Sequence, residues 1–184
     1  MNLTQIIYSD YKKHSNYGAS FPVILFFTQG FSATFQYRIA HYFYTNLKIF
    51  GLRKIILLFC SIWQKWIEFS CGISVPASAK IGHSFYIGHF GGIIINSSSI
   101  IGNNCNISQG VTIGISGLNE KRGIPVIGNN VYIGANSVIA GKITIGDNVL
   151  IGACSLVNQS FAENSVALGV PAIKISENSS NGYI

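Results

Sequence analysis

Four histidines are the groups in this sequence best suited to moving a proton near neutral pH: His14, His41, His83 and His89. The chemistry that suits such a group is activation of a hydroxyl, which is a poor nucleophile at pH 7 until a base takes its proton. Their contexts differ. His14 lies in a polar N-terminal segment and reads as solvated. His41, in YRIAH, reads as a structural hydrogen bonder on a helix. His83 occupies an outward position of a repeat. His89 stands in His89-Phe90-Gly91-Gly92, where that repeat slips by two residues. Acids are scarce around it, with no Asp or Glu from Phe69 to Asn119. The cysteines Cys60, Cys71, Cys105 and Cys154 form no C-x-x-C pair and no cluster with zinc spacing, so they read as reduced core residues and no metal is expected.

The elements that position these groups are set by a period of six. From Val75 an aliphatic residue recurs at Ile81 and Ile87, slips to Ile95, then continues at Ile101, Ile107 and Ile113. It returns at Ile127, Ile133, Ile139, Ile145, Ile151 and Val157, and Gly usually follows it. Four residues after the aliphatic one stand small or β-branched residues such as Ala79, Ser99, Val111, Val131, Ser137 and Ser155. Three short strands per coil of about 18 residues account for this pattern: the aliphatic side chain points inward and stacks on its neighbours. The glycines read as supports for tight corners. The pattern implies a parallel β-helix of about four to five coils. It pauses twice, at the slip holding His89 and at the excursion from Ile115 to Pro125. Interruptions of this kind are where repeat proteins carry function.

Residues 1–70 read as a helical cap. Phe31, Phe35, Ile39 and Phe43 share one face of the segment Gly30–Leu47, and Leu52–Phe69 is apolar on most sides, with a break at Cys71-Gly72. Such helices pack against something. The two expectations are an oligomer contact, or docking on a membrane surface with Lys48, Arg53, Lys54 and Lys65 toward lipid phosphates. The apolar run Ile55–Trp63 is too short to span a bilayer, and the N-terminus lacks the apolar core of a signal peptide. The chain therefore reads as cytoplasmic, with peripheral association on the inner membrane face left open. The net charge of +6 is carried on scattered Lys and Arg, which argues against nucleic acid. It suits either solubility or an anionic ligand.

The stretches ISVPASAKIGHSFYIGHFGG (73–92), NNCNISQGVTIG (103–114), IPVIG (124–128) and GVPAIKI (169–175), with FSATFQYRIAHYFY (31–44), resemble the hexapeptide-repeat acyltransferases, and within them the serine acetyltransferase group. The resemblance implies a mainly β fold, a single-stranded left-handed parallel β-helix over 71–175, with an N-terminal α-helical cap over 1–70 and a tail over 176–184. It also implies an acetyl-CoA co-substrate, a homotrimer with active sites between subunits, and direct attack of an acceptor hydroxyl on the thioester. The family's catalytic histidine falls on His89. The pantetheine and adenine ends of CoA would pass Gly114, Ala135, Ala153, Gly169, Pro171 and Lys174, with Lys142, Lys121 and Arg122 as further phosphate candidates. Backbone N–H groups of the His89–Gly92 turn or Gly114 would meet the developing oxyanion.

The departures from that pattern bear on the acceptor. Where the group carries an aspartate that pairs with the histidine, this chain has Ser74. A second aspartate position holds Gly88, and a second histidine position holds Ile124. A serine ammonium favours a carboxylate partner, whereas a neutral polyol needs hydroxyls and amides, and Asn106 and Gln109 are candidates with Arg122. Ser74 or a carbonyl would then orient His89. The acceptor expected on this reading is a sugar hydroxyl in capsule, exopolysaccharide or lipopolysaccharide synthesis. L-Serine, in cysteine synthesis, is the alternative. The group's habit of binding a partner synthase through a tail ending in isoleucine is matched weakly by the terminal NGYI. A zinc enzyme of the β-helical type needs three histidines, and the repeat region supplies only His83 and His89.

Overall fold

A computed structural model describes residues 1–184, apart from the Lys121 side chain. Four helices come first: α1 (Leu3–Asn16), α2 (Phe21–Phe27), α3 (Gln29–Asn46) and α4 (Phe50–Cys71). α1 starts at a capping box, in which Asn2 accepts from the Gln5 N–H and the Gln5 side chain accepts from the Asn2 N–H. α4 stops at Gly72, whose φ of 65° is the left-handed conformation that ends a helix. A β-carbon at Gly72 would also stand 3.1 Å from the Gly91 Cα, so two requirements meet at one residue.

The chain then winds into coils. The first is β1 (Ile73–Ser74), β2 (Lys80–Ile81) and β3 (Tyr86–Ile87); the second is β4 (Ile93–Ile95), β5 (Ile100–Ile101) and β6 (Asn106–Ile107). The third is β7 (Thr112–Gly114), β8 (Val126–Ile127) and β9 (Tyr132–Ile133); the fourth is β10 (Val138–Ala140), β11 (Thr144–Ile145) and β12 (Leu150–Ile151). β13 (Leu156–Val157), β14 (Val166–Gly169) and β15 (Ala172–Ser176) close the array. Equivalent strands pair in parallel and in register, forming three faces: β1-β4-β7-β10-β13, β2-β5-β8-β11 and β3-β6-β9-β12-β14. β15 folds back antiparallel on β14 and ends the third face.

The core is the column expected from the period of six. Ile87, Ile107, Ile113, Ile133, Ile139, Ile151 and Val157 are all fully buried, and so are Ala79, Ser99, Val111, Val131 and Ser137 between them. The glycines after the aliphatic residues play a different part from the one expected. The left-handed corner positions are held by Ser84, Asn104, Asn130, Asn148, Asn164, Asn136 and Cys154, all with positive φ. Asn tolerates this region because its short side chain bonds locally. The Ile-Gly glycines are needed for proximity instead: a β-carbon on Gly102 would lie 2.5 Å from the Gly128 carbonyl oxygen, and one on Gly134 would lie 2.5 Å from the Ala153 nitrogen.

The cap is tied to the β-helix by charge as well as by packing. Arg38 on α3 pairs with Asp10 on α1 at 2.7 Å, and both are buried. Arg38 also donates to the Ile81 and Gly82 carbonyls, while Asp10 accepts from the Phe85 N–H. Burial pushes the Asp10 carboxyl up against the pull of Arg38 and the Phe85 amide. Tyr37, fully buried, donates to the Ala79 carbonyl, and His41 meets the Ala77 carbonyl as a structural bonder. The face of α3 toward the β-helix is thus Ala33, Tyr37, Arg38 and His41, not the phenylalanine stripe. Phe35 turns instead to Trp63 of α4, ring centroids 6.1 Å apart.

His14 corrects its expectation. It is 2% exposed, its Nδ1 meets the Asp10 carbonyl and its Nε2 has no partner among the described residues. The segment looked polar because α1 presents Asp10, Lys13 and His14 inward to the β-helix corner. Cys154 is a second correction: it is exposed at a corner, while Cys60, Cys71 and Cys105 are buried as expected.

Candidate active site

His89 is held by a turn between β3 and β4. Gly91 donates to the Cys71 carbonyl at 2.8 Å and Ile93 to the Gly72 carbonyl at 3.0 Å, so the turn is fastened to the end of α4. Gly92 has a φ of 68°, and its missing β-carbon would sit 3.3 Å from the Gly110 Cα in the next coil. Two glycines therefore let the slip lie flat against both neighbours. His89 itself is exposed and has no hydrogen-bond partner among the described residues. The Gly91 N–H is committed to Cys71 and is not free to serve an oxyanion.

The corner that carries His89 joins the third face to the first. Gln109, Ala135 and Ala153 stand at the same corner in successive coils, as the backbone bonds Gly110 to Gly91, Asn136 to Gln109 and Cys154 to Ala135 record. Gly169 and Pro171 reach this side at the end of β14. Gly114 ends β7 at the next corner, where the excursion containing Arg122 leaves and returns. Ser116 and Gly123 bridge the base of that excursion. Beside it lies a cleft of about 420 Å³ lined by Ser116, Gly117, Glu120, Ala140, Lys142 and Asn158 among others. The first face, bounded by the His89 corner and the excursion corner, thus collects most of the candidate residues. Three of them stand apart from the expected roles, as follows.

Ser74, on β1 of that face, does not engage His89. Its hydroxyl donates to Glu68 Oε1 at 2.7 Å, and Gln64 Nε2 donates to the same oxygen at 2.9 Å. Lys65 donates to the other oxygen. Burial tends to raise the Glu68 carboxyl, but the hydrogen bonds from Lys65, Ser74 and Gln64 outweigh it and hold it below the usual range. Glu68, on the last turns of α4, is therefore the carboxylate that reaches Ser74. The signal available in the sequence was its place one turn before the helix-ending Gly72.

Asn106 is the second. It points out from the third face and is 2% exposed, donating to Tyr17 Oη at 2.6 Å and to the Tyr183 carbonyl at 3.0 Å. α1 and the C-terminal tail cover it, so it does not face an acceptor beside His89. Lys174 is the third: it pairs with Glu177 at 2.7 Å on an exposed strand, which leaves it less free for phosphate than expected. The tail that ends NGYI lies against this covered side. Ser180 bonds the Asn130 and Asn148 carbonyls, and the Tyr183 ring packs against Tyr132. Among the described residues no group of three His, Cys, Asp or Glu is placed to hold a metal ion.

Comparison with known proteins carries this architecture further. A family model described as bacterial transferase hexapeptide (six repeats) matches residues 124–159. The serine acetyltransferase of Bacillus licheniformis is 31% identical over 159 residues, covering 86% of this chain and 70% of that protein. The chain belongs to the serine acetyltransferase family. The Staphylococcus epidermidis family member is 38% identical over 142 residues, 77% of this chain, but the chain spans only 63% of that relative's length. Among solved structures, Neisseria gonorrhoeae serine acetyltransferase superposes with a TM-score of 0.82 at 29% identity, over 95% of this chain and 65% of that one. A serine acetyltransferase in complex with CoA superposes with a TM-score of 0.78 at 28% identity, over 94% of this chain and 69% of that one. The expected left-handed β-helix with its helical cap is the family's fold.

Proposed function

We propose that this chain transfers an acetyl group from acetyl-CoA to an acceptor hydroxyl, with His89 as general base. The observation that carries the proposal is the setting of His89. It is exposed, unpaired among the described residues, and fixed by backbone to the end of α4 at a slip in the repeat, in a family of acetyltransferases. The His89 imidazole takes the hydroxyl proton as the oxygen attacks the thioester carbonyl carbon. The proton then passes to the departing CoA sulfur. Ala135 and Ala153 leave room along the corner for a slender chain, and Arg122 and Lys142 offer charge for phosphates. A base on an open surface needs a second wall to exclude water, which supports a homotrimer whose sites lie between subunits.

L-Serine is the first acceptor on this reading. Every relative named above is a serine acetyltransferase, and Glu68, which Ser74 and Lys65 both bond, is a carboxylate of the kind an ammonium group seeks. A second reading, a neutral sugar hydroxyl of a capsule or other polysaccharide, is favoured by Gly88 and Ile124, which stand where the family resemblance places an aspartate and a histidine. Release of free CoA thiol from acetyl-CoA, with L-serine in one reaction and sugars or nucleotide sugars in others, tests both. Turnover with serine supports the first reading. Turnover with a sugar and silence with serine replaces it by the second. Silence throughout, with folded protein, overturns the acetyltransferase assignment.

A further inference from the structure

α4 leaves a long apolar stripe uncovered. Leu52, Ile55, Phe59, Ile62, Trp66 and Phe69 recur at steps of three and four and are 45% to 89% exposed. Leu58, at 61%, widens the stripe. α2 adds a second uncovered surface: Phe21, Val23, Leu25, Phe26 and Phe27 are 43% to 73% exposed, and only Ile24 is buried. Both surfaces flank the same stretch of α3. Ring contacts run from Phe21 through Tyr11 and Phe31 to Phe35 and on to Trp63 of α4, with centroids 5.8 to 6.4 Å apart.

Charge selects among occupants. Residues 1–71 carry seven Lys and Arg against two acids, while residues 72–184 carry five against four. The positive excess therefore sits on the helical cap; Lys13 and Arg38 are buried against the β-helix, and Lys48 and Lys54 are among those left at the surface. Lys48 and Lys54 are exposed near the start of the stripe, while Lys65 along it is paired with Glu68; Lys54 lies 4.2 Å over the Phe50 ring. Among the described residues no helix is long and apolar enough to cross a membrane. A broad apolar face, aromatic residues and a cationic border are what an interfacial helix presents to lipid. A second copy of this chain would bring the same positive excess to the contact, whereas an anionic bilayer neutralises it.

We propose that α2 and α4 dock this protein on an anionic membrane surface, with α4 lying in the interfacial plane. The inference does not depend on the acceptor. Because α4 ends at the turn that holds His89, docking would bring the candidate active site close to the lipid headgroups.

The test is flotation of the full chain with vesicles of phosphatidylcholine alone, or of phosphatidylcholine with one third phosphatidylglycerol. The expected result is binding to the anionic vesicles that weakens as salt rises. In a Trp63→Phe variant, which leaves Trp66 as the one tryptophan, the emission should shift to the blue on binding. Ile62→Asp should lower the bound fraction about tenfold or more. Lys48→Glu with Lys54→Glu, at exposed positions, should do the same and serves if the Ile62 variant folds poorly. Absence of binding to either vesicle overturns the proposal. So does light scattering that shows Ile62→Asp dissolving an assembly of chains while lipid has no effect, which would give the stripe to a second copy.

Discussion

Two corners of the same prism are built in opposite ways. The corner between the second and third faces is sheathed. Asn104, Asn130, Asn148 and Asn164 pass hydrogen bonds from side chain to side chain along it, at 2.7 to 3.0 Å. Lys13 caps this ladder at Asn104, and α1 and the tail cover it as far as Asn148. Burial pushes the Lys13 ammonium down to about 8. The His89 corner is bare: it offers His89, Phe90, Asn136, Ala153 and Cys154 to solvent, and among the described residues no side-chain ladder runs along it. A stack of identical coils has equivalent corners by construction, so the difference comes from what the chain lays over them. Polar bonding is concentrated on the sheathed corner, and the other corner is left free, as the proposed site requires.

If that contrast is right, damage to the sheathed side costs stability and damage to the bare side costs activity. Asp10→Ala strands the buried Arg38 guanidinium and is expected to destabilise by about 3–5 kcal/mol in urea unfolding. The folded fraction should retain its activity. His89→Ala should lower kcat by about 10² or more while leaving the melting temperature unchanged, since the side chain bonds nothing among the described residues. Near-full activity in that variant would end its role as base. Glu68→Gln, between the two regions, should lower kcat/KM by about tenfold for an ammonium-bearing acceptor and much less for a neutral sugar. That difference separates the two acceptors by a second route.

The smallest effect is one of pH. Burial holds the His14 imidazole below its ordinary value of 6.5. Below that value the unfolded chain binds a proton that the native state resists. Stability should therefore fall as pH drops through about 6.5 and below, by at most about 1.4 kcal/mol per pH unit. Unfolding titrations of the protein and of His14→Gln check this, because the variant should show a shallower slope.

Much of the fold was legible because the core is periodic. A buried aliphatic residue every sixth position needs only stacking to be satisfied, and the sequence states that period directly from Ile81 to Val157. The slip that holds His89 was legible for the related reason that it breaks the period. The helix end at Gly72 was equally plain. What misled was proximity that no spacing encodes. Asn106 looked like a free amide and is sealed by Tyr17 and Tyr183, one from each end of the chain. His14 looked solvated and is buried, because α1 turns its polar residues toward the β-helix. The acid-free stretch beginning at Phe69 hid Glu68, one residue outside it.

The sequence by itself thus determined the coil, its register and the place where the repeat slips, since each follows from local pattern and from steric limits within one turn of chain. Only the tertiary structure decided which corner is covered, which carboxylate reaches Ser74, and that α4 leaves its apolar stripe uncovered. Those outcomes depend on contacts between segments far apart in the chain, where distance in space is set by packing and not by spacing.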